Sequence, residues 1–138
     1  MARVKDRRAM IAGMSPELRE GRYVFASLPA GQPNTELMSA SLGTFAEAEG
    51  LSLILPEDTA RAAGFDVDVV MRQITLSVFS DLEGVGLTAA VSTALADANI
   101  PANVVAAFHH DHVFVPADLA EAAMAALRDL QHAAQDEG

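Results

Sequence analysis

Two stretches of this chain repeat their apolar residues every three to four positions. Over residues 86–98, Leu87, Ala90, Val91, Ala94, Leu95 and Ala98 fall on one stripe, and Thr88, Ser92, Thr93 and Asp97 face away. Over residues 117–131 the same spacing gathers Leu119, Ala122, Ala123, Ala126, Leu127 and Leu130, with Glu121 and Arg128 on the far side. Both patterns predict amphipathic helices, each covering one face of something flat. Strict alternation replaces this period over residues 72–79, where Ile74, Leu76 and Val78 interleave with Gln73, Thr75 and Ser77, the mark of a half-buried strand. β-Rich runs at 103–108 and 112–115, parted by a few polar residues, predict a hairpin. Residues 23–28 predict a further strand, closed by Pro29-Ala-Gly31. Shorter helices are expected at 4–14 and at 57–63, the latter stopped by Gly64, with a second hairpin at 44–55 and an irregular link at 31–42.

Shifting the chain against itself by sixty residues lays 45–60 over 105–120. Strand, turn, strand, a Pro-x-Asp step (Pro56 and Asp58, Pro116 and Asp118) and a helix follow in the same order in both. A proline tolerates a helix start because its missing N–H has no partner there, and the aspartate suits the positive end of the helix. The match suggests an internal duplication. The second copy has the order β, α, β, β, α, which is a ferredoxin-like split unit lacking its last strand. The first is degenerate or permuted, and strand 23–28 is expected to pair across the halves. The expected halves are 1–66 and 67–138, sharing strands, in an α+β fold of antiparallel sheets with helices on one face.

Charge narrows the partners. The formal net charge is −10. Residues 1–22 hold six basic and three acidic groups, so the rest of the chain holds three basic and sixteen acidic ones. An acidic body repels a phosphate backbone, which disfavours nucleic acid, and the basic segment is more simply the solvated face of a helix. No cysteine is present, so disulfides, thiolate ligands and a thiol nucleophile are excluded. No apolar run approaches the roughly 20 residues that span a bilayer, and the charged N-terminus lacks a signal peptide's apolar region. These features favour a cytoplasmic protein without a membrane segment.

The most conspicuous chemistry is His109-His-Asp-His112, since imidazole and carboxylate are metal ligands. With a tight turn at His110-Asp111, His109 and His112 would oppose each other on one face, about 5 Å apart at Cβ. With the turn at His109-His110, the position suggested by Glu49-Gly50 in the first copy, the faces change. Both registers stay open in the sequence, and no further histidine cluster supplies a third or fourth ligand. An enzyme would need a nucleophile or a poised acid–base pair. There is no Gly-x-Ser-x-Gly elbow and no phosphate-binding loop of the Walker type, and the only lysine, Lys5, sits in the terminal segment. The expectation is a non-catalytic protein with no resident metal or cofactor.

The strand from Ile74, the loop Ser80-Asp-Leu-Glu-Gly-Val-Gly86, the small-residue helix after it and the step Asn99-Ile-Pro-Ala-Asn103 together resemble the ACT domain, especially the regulatory ACT units of aspartate kinases. With Tyr23-Val-Phe25, Glu49-Gly50 and His110-Asp-His-Val-Phe-Val-Pro116, about residues 10 to 130 look like the small stand-alone proteins with two tandem ACT-like units. The resemblance implies a regulatory protein that binds a small molecule, often an amino acid, between ACT units through main-chain groups of the loop after the first strand. It places Ser80, Gly84, Val85, Gly86 and Leu87 in the cradle, with Asn103 adding a side-chain amide. Asp81 and Glu83 depart from the family's pattern; they would repel a carboxylate and can instead receive the ligand's ammonium. Elementary chemistry points to the same loop, since glycines let backbone approach closely and N–H groups at a helix start attract carboxylate. ACT units usually cover their open sheet faces by pairing, so a homodimer is expected. The alternatives are a ligand-free interaction or dimerisation module and a metal-dependent catalyst using His109, His110, Asp111 and His112.

Overall fold

Apolar alternation and helical stripes resolve into seven strands and five α-helices in a computed structural model that describes residues 6–78 and 85–136. The chain forms two compact units: a first unit of Gly21–Met71, and a second made of Met1–Glu20 together with Arg72–Gly138.

The first unit begins with β2 (Tyr23–Pro29), preceded in the chain by β1 (Pro16–Leu18), which belongs to the second unit. It continues through α2 (Thr35–Ala40), β3 (Gly43–Glu47), β4 (Gly50–Pro56) and α3 (Glu57–Ala62). The strand expected to pair across the halves lies along β4 from Tyr23↔Pro56 to Pro29↔Gly50, and at Tyr23↔Met71 it also pairs with β5 (Met71–Leu76), the strand that opens at residue 71. Residues 31–42, expected to be irregular, contain α2. Asn34 caps it, its side-chain oxygen accepting from the Leu37 N–H at 3.0 Å, a favoured device for starting a short helix. Val24, Leu53, Leu55 and Ala60 form the buried centre of this unit, flanked by Ala26, Leu28, Leu37 and Leu51.

The second unit holds α1 (Arg7–Ala12), β1, β5 (Met71–Leu76, from Arg72 onward), α4 (Leu87–Asp97), β6 (Asn103–Ala106), β7 (Asp111–Pro116) and α5 (Ala120–Asp136). A 3-10 turn at Ala117–Leu119 leads into α5. Strand order is β1-β5-β7-β6. β1 supplies the fourth strand that chain order alone leaves missing, antiparallel to β5 with Glu17 opposite Thr75. It is only three residues long and begins on proline, so no alternation announces it. Ile74, Leu76, Val113 and Val115 from the strands meet Leu87, Val91 and Leu95 of α4, Ala123, Met124 and Leu127 of α5, and Met10, Ile11 and Met14 around α1. Each of these Val, Leu, Ile and Met side chains, fully removed from water, contributes about 1.5–3 kcal/mol. Methionines fit the irregular spaces beside α1.

The sixty-residue repeat appears in the backbone itself. Gly43↔Ile54, Thr44↔Leu53, Phe45↔Ser52 and Ala46↔Leu51 recur as Asn103↔Phe114, Val104↔Val113, Val105↔His112 and Ala106↔Asp111. Pro56 and Pro116 both occupy the N-cap, at φ −53°, ψ 140° and φ −53°, ψ 138°. Asp58 and Asp118 stand in the first turns that follow, where the helix end favours negative charge.

Candidate functional site

The loop that the sequence marks leads into α4. Ser80, Asp81, Glu83 and Gly84 lie outside the described residues; Val85, Gly86 and Leu87 lie within them. Val85 is 78% exposed, whereas the Leu87 side chain is buried in the core, leaving main-chain groups as its contribution to any cradle. Gly86 is the N-cap of α4 at φ +105°, a conformation that suits glycine, and as glycine it brings no capping side chain of its own. A Cβ added at Gly86 would lie 2.5 Å from Cδ and 2.9 Å from Nε of Arg7. The bare backbone therefore admits the Arg7 side chain, an exposed cation, over the start of α4. Arg7 had no mark in the sequence beyond belonging to a basic stretch, and only packing of α1 in this unit places it beside Gly86.

Asn103 is exposed at the start of β6, opposite Phe114. Eleven residues of α4, about 16 Å of helix, separate Gly86 from the connection that leads to it. The hairpin that Asn103 opens runs back toward the end of β5, where the His110 Nδ1–H donates to the Val78 carbonyl at 3.3 Å. Within one unit, the amide of Asn103 and the loop at Gly86 thus stand at opposite ends.

The β6–β7 hairpin follows neither of the two registers open in the sequence. Ala106 faces Asp111, the Ala107 N–H donates to the His110 carbonyl at 3.1 Å, and the tip is Phe108-His109. His109 and His112 are not opposed; Val105 faces His112. The first copy turns at Ala48-Glu49, between Glu47 and Gly50, so the repeat holds at the tip too. The rings of Phe108 and His109 meet edge to face at 5.1 Å. Among the described residues, no group of three or more His, Cys, Asp and Glu is gathered closely enough to hold a metal ion.

His112 does have a built environment. Its Nδ1 accepts from Gln73 Nε2 at 3.0 Å and from the Thr75 hydroxyl at 3.1 Å, while Thr75 Oγ1 accepts from Arg19 Nε at 3.1 Å. An amide nitrogen can only donate, so Nδ1 carries no proton and Nε2–H is the tautomer this network selects. Burial, with the charges of His110 and Arg19, holds the imidazole below its ordinary pKa. Asp111, 7% exposed, is pushed the other way: burial raises its carboxyl, and the nearby His112 and His110 offset part of that rise. Gln73, Thr75, His112 and the Arg19 guanidinium thus form a polar network on the strand residues opposite the helical core.

In the first unit the corresponding strand-to-helix connection opens a groove of about 420 Å³, walled by Leu28, Pro29, Met38 and Leu51, with Gln32 and Glu47 among its polar groups. Gly31 sits in this connection at φ +78°, with open space where a Cβ would be.

Two ferredoxin-like arrangements in tandem, each with a glycine of positive φ in its first strand-to-helix connection, define a class of paired α+β modules. Residues 4–72 match one family model described as ACT domain, and residues 69–129 match another of the same description. The chain belongs to the ACT-domain family, with two tandem ACT domains. Among solved structures it is similar to a protein of unknown function from Vibrio cholerae, described as a possible transport protein: 41% identity, TM-score 0.77, over 87% of this chain and 92% of that one. A protein from Agrobacterium tumefaciens shares 19% identity at TM-score 0.66, covering 84% and 87%. The regulatory subunit of aspartate kinase from Thermus flavus shares the fold at 13% identity, TM-score 0.59, covering 83% and 95%. No curated protein matches the sequence. ACT domains are regulatory modules, not catalytic ones, and typically bind small molecules. Among the described residues, no helix is long and apolar enough to cross a membrane.

Proposed function

We propose that this protein is a cytoplasmic, non-catalytic regulator that binds an amino acid at the connection preceding α4 and passes the binding on as a change in packing between ACT units. The observation that carries the reading is Gly86: a left-handed glycine at the start of α4, with Arg7 laid over it. Main-chain N–H groups at that start and the Arg7 guanidinium would receive the ligand's carboxylate. Ser80 and Gly84 would extend the cradle, and Asp81 and Glu83 would receive its ammonium. Asn103 stands too far from Gly86 to serve the same ligand within one unit. Its amide contributes when another ACT unit, such as that of a second copy in a homodimer, presents it.

Isothermal titration of the purified chain against the twenty amino acids tests this, with thermal shift as a parallel readout. One or a few amino acids should bind and raise the melting temperature, and Arg7→Ala should weaken binding about tenfold or more, as expected for losing a charge-assisted contact. Absence of heat and of any thermal shift with all twenty would reject the amino-acid ligand and favour a ligand-free interaction module.

A further inference from the structure

α1 is too short to stand alone. Six residues fall well below the length at which an isolated helix persists in water, so its place in the second unit is set by what it touches. Met10 and Ile11, with Met14 just beyond, are buried in the core. Asp6 caps its start, accepting from the Ala9 N–H at 2.8 Å. At the other end the Ala12 carbonyl, one of those a helix leaves without an intrahelical partner, accepts from two donors on one element: Gln131 Nε2 at 2.8 Å and Gln135 Nε2 at 3.0 Å. Four residues apart on α5, these amides share a face and close on the carbonyl from one side. Beyond α1 the chain turns into β1 through Ser15 at φ +41°, a left-handed conformation that is costly for a residue with a Cβ and persists only where its surroundings hold it.

Arg7 stands at the start of this helix, five residues from the clamped carbonyl, which is about 7–8 Å along the axis. Over so short a rigid span, where the clamped end sits decides where Arg7 begins. We infer that Gln131 and Gln135 are positioning residues: through α1 they hold the Arg7 side chain over Gly86, and so set the affinity of the site for an amino acid. An exposed arginine loses much rotamer freedom when it grips a ligand. Fixing the backbone from which it starts leaves less of that ordering to be done on binding. Linkage makes the coupling two-way, so a ligand that holds Arg7 in place also steadies the last turn of α5.

This inference rests on the amino-acid reading and adds what tunes its site, and its test has an arm without ligand. Nuclear magnetic resonance of the full chain should show an Overhauser contact between the Arg7 δ protons and the Gly86 α protons. Gln131→Met with Gln135→Met keeps side-chain length and helix propensity but removes both donors. The pair should erase that contact while the methyl signals of Val91 and Leu127 in the core stay in place, and either substitution alone should reduce it partway. Gln131→Lys with Gln135→Lys returns N–H donors to the carbonyl and should restore the contact, which a mere packing defect would not allow. In titrations with each of the twenty amino acids, the Met pair should weaken whatever binds the wild type about fivefold or more, with no further effect once Arg7→Ala is present. Binding should also slow hydrogen exchange at residues 131–135. A contact of full strength in the Met pair overturns the inference, as does wild-type affinity in that pair or weakening that adds in full to Arg7→Ala. If the Met pair does not fold, full-strength contacts in both single variants overturn it. A wild type that binds none of the twenty rejects the amino-acid reading and the affinity role with it, and the Overhauser contact then decides by itself whether the glutamines position Arg7.

Discussion

The two units share a hairpin and differ in what lies on it. From β3–β4 to β6–β7 every shared residue pair is offset by sixty, and both hairpins end on a proline N-cap at nearly the same angles. The helices are another matter: α2 and α3 have six residues each, whereas α4 has 11 and α5 has 17. In the first unit four residues form the buried centre, while in the second three helices bury a far larger set against the strands. Hairpin register is held by backbone pairing and turn geometry, so it survives the change in helix length. Core size follows the helix layer, so the second unit is expected to carry most of the stability.

The largest effect should come from emptying the larger core. Leu127→Ala, at a fully buried position, should lower global stability by about 3 kcal/mol, the usual size for a leucine cavity, measured by urea unfolding. The same truncation at Leu55, fully buried in the smaller core, should cost about 2 kcal/mol and act locally: hydrogen exchange should accelerate at β4 amides while β7 amides keep their protection. Equal acceleration in both strands would show that the units unfold as one and dissolve the contrast. A smaller difference is expected between the left-handed glycines of the two strand-to-helix connections, Gly31 and Gly86. Gly31→Ala should cost about 1 kcal/mol through backbone strain alone, since nothing lies near its Cβ position. Gly86→Ala should cost about 2 kcal/mol, because Arg7 must also move, and under the proposed reading it should also abolish amino-acid binding in the titration.

The smallest effect is a pH dependence confined to the second unit. His112 has its pKa lowered in the folded state, so below its ordinary value of 6.5 the unfolded chain binds a proton that the folded chain refuses. Its contribution is intact above that pH and falls away as the pH drops toward the lowered folded value. Asp111 runs in the opposite sense: its raised folded pKa means that stability declines as the pH rises from 3.8 toward the folded value. His112→Gln should therefore flatten the loss of melting temperature on acidification below pH 6.5, and Asp111→Asn should raise the melting temperature at neutral pH while changing little near pH 3. A melting curve of His112→Gln that tracks the wild type at every pH would remove the histidine from this account.

Much of the architecture was legible because its signals are local. The stripe from Leu87 to Leu95, the alternation through Ile74 and Leu76, and the Pro-x-Asp steps at Pro56 and Pro116 each depend on residues a few positions apart, and these mark where a chain must bury one face or start a helix. The sixty-residue repeat was visible for the same reason, although its turn was displaced by one residue in the reading from Glu49-Gly50. The candidate site was legible only in part. Gly86 stands out because a small-residue loop leads into a helix, but nothing in the sequence points from Arg7 to a glycine 79 positions away, or separates Asn103 from that glycine by the length of α4.

The sequence by itself determined the β–α–β–β–α order of the second copy, the two main helices of the second unit and the loop that leads into α4, because period and turn chemistry act over one or two turns of chain. Only the tertiary structure decided that β1 completes the second unit, that the hairpin tip is Phe108-His109, and that Thr75, Gln73 and Arg19 gather around His112. Those choices depend on which strand edge is left open once the cores are packed. That is a property of the assembled sheet and leaves no periodic trace along the chain.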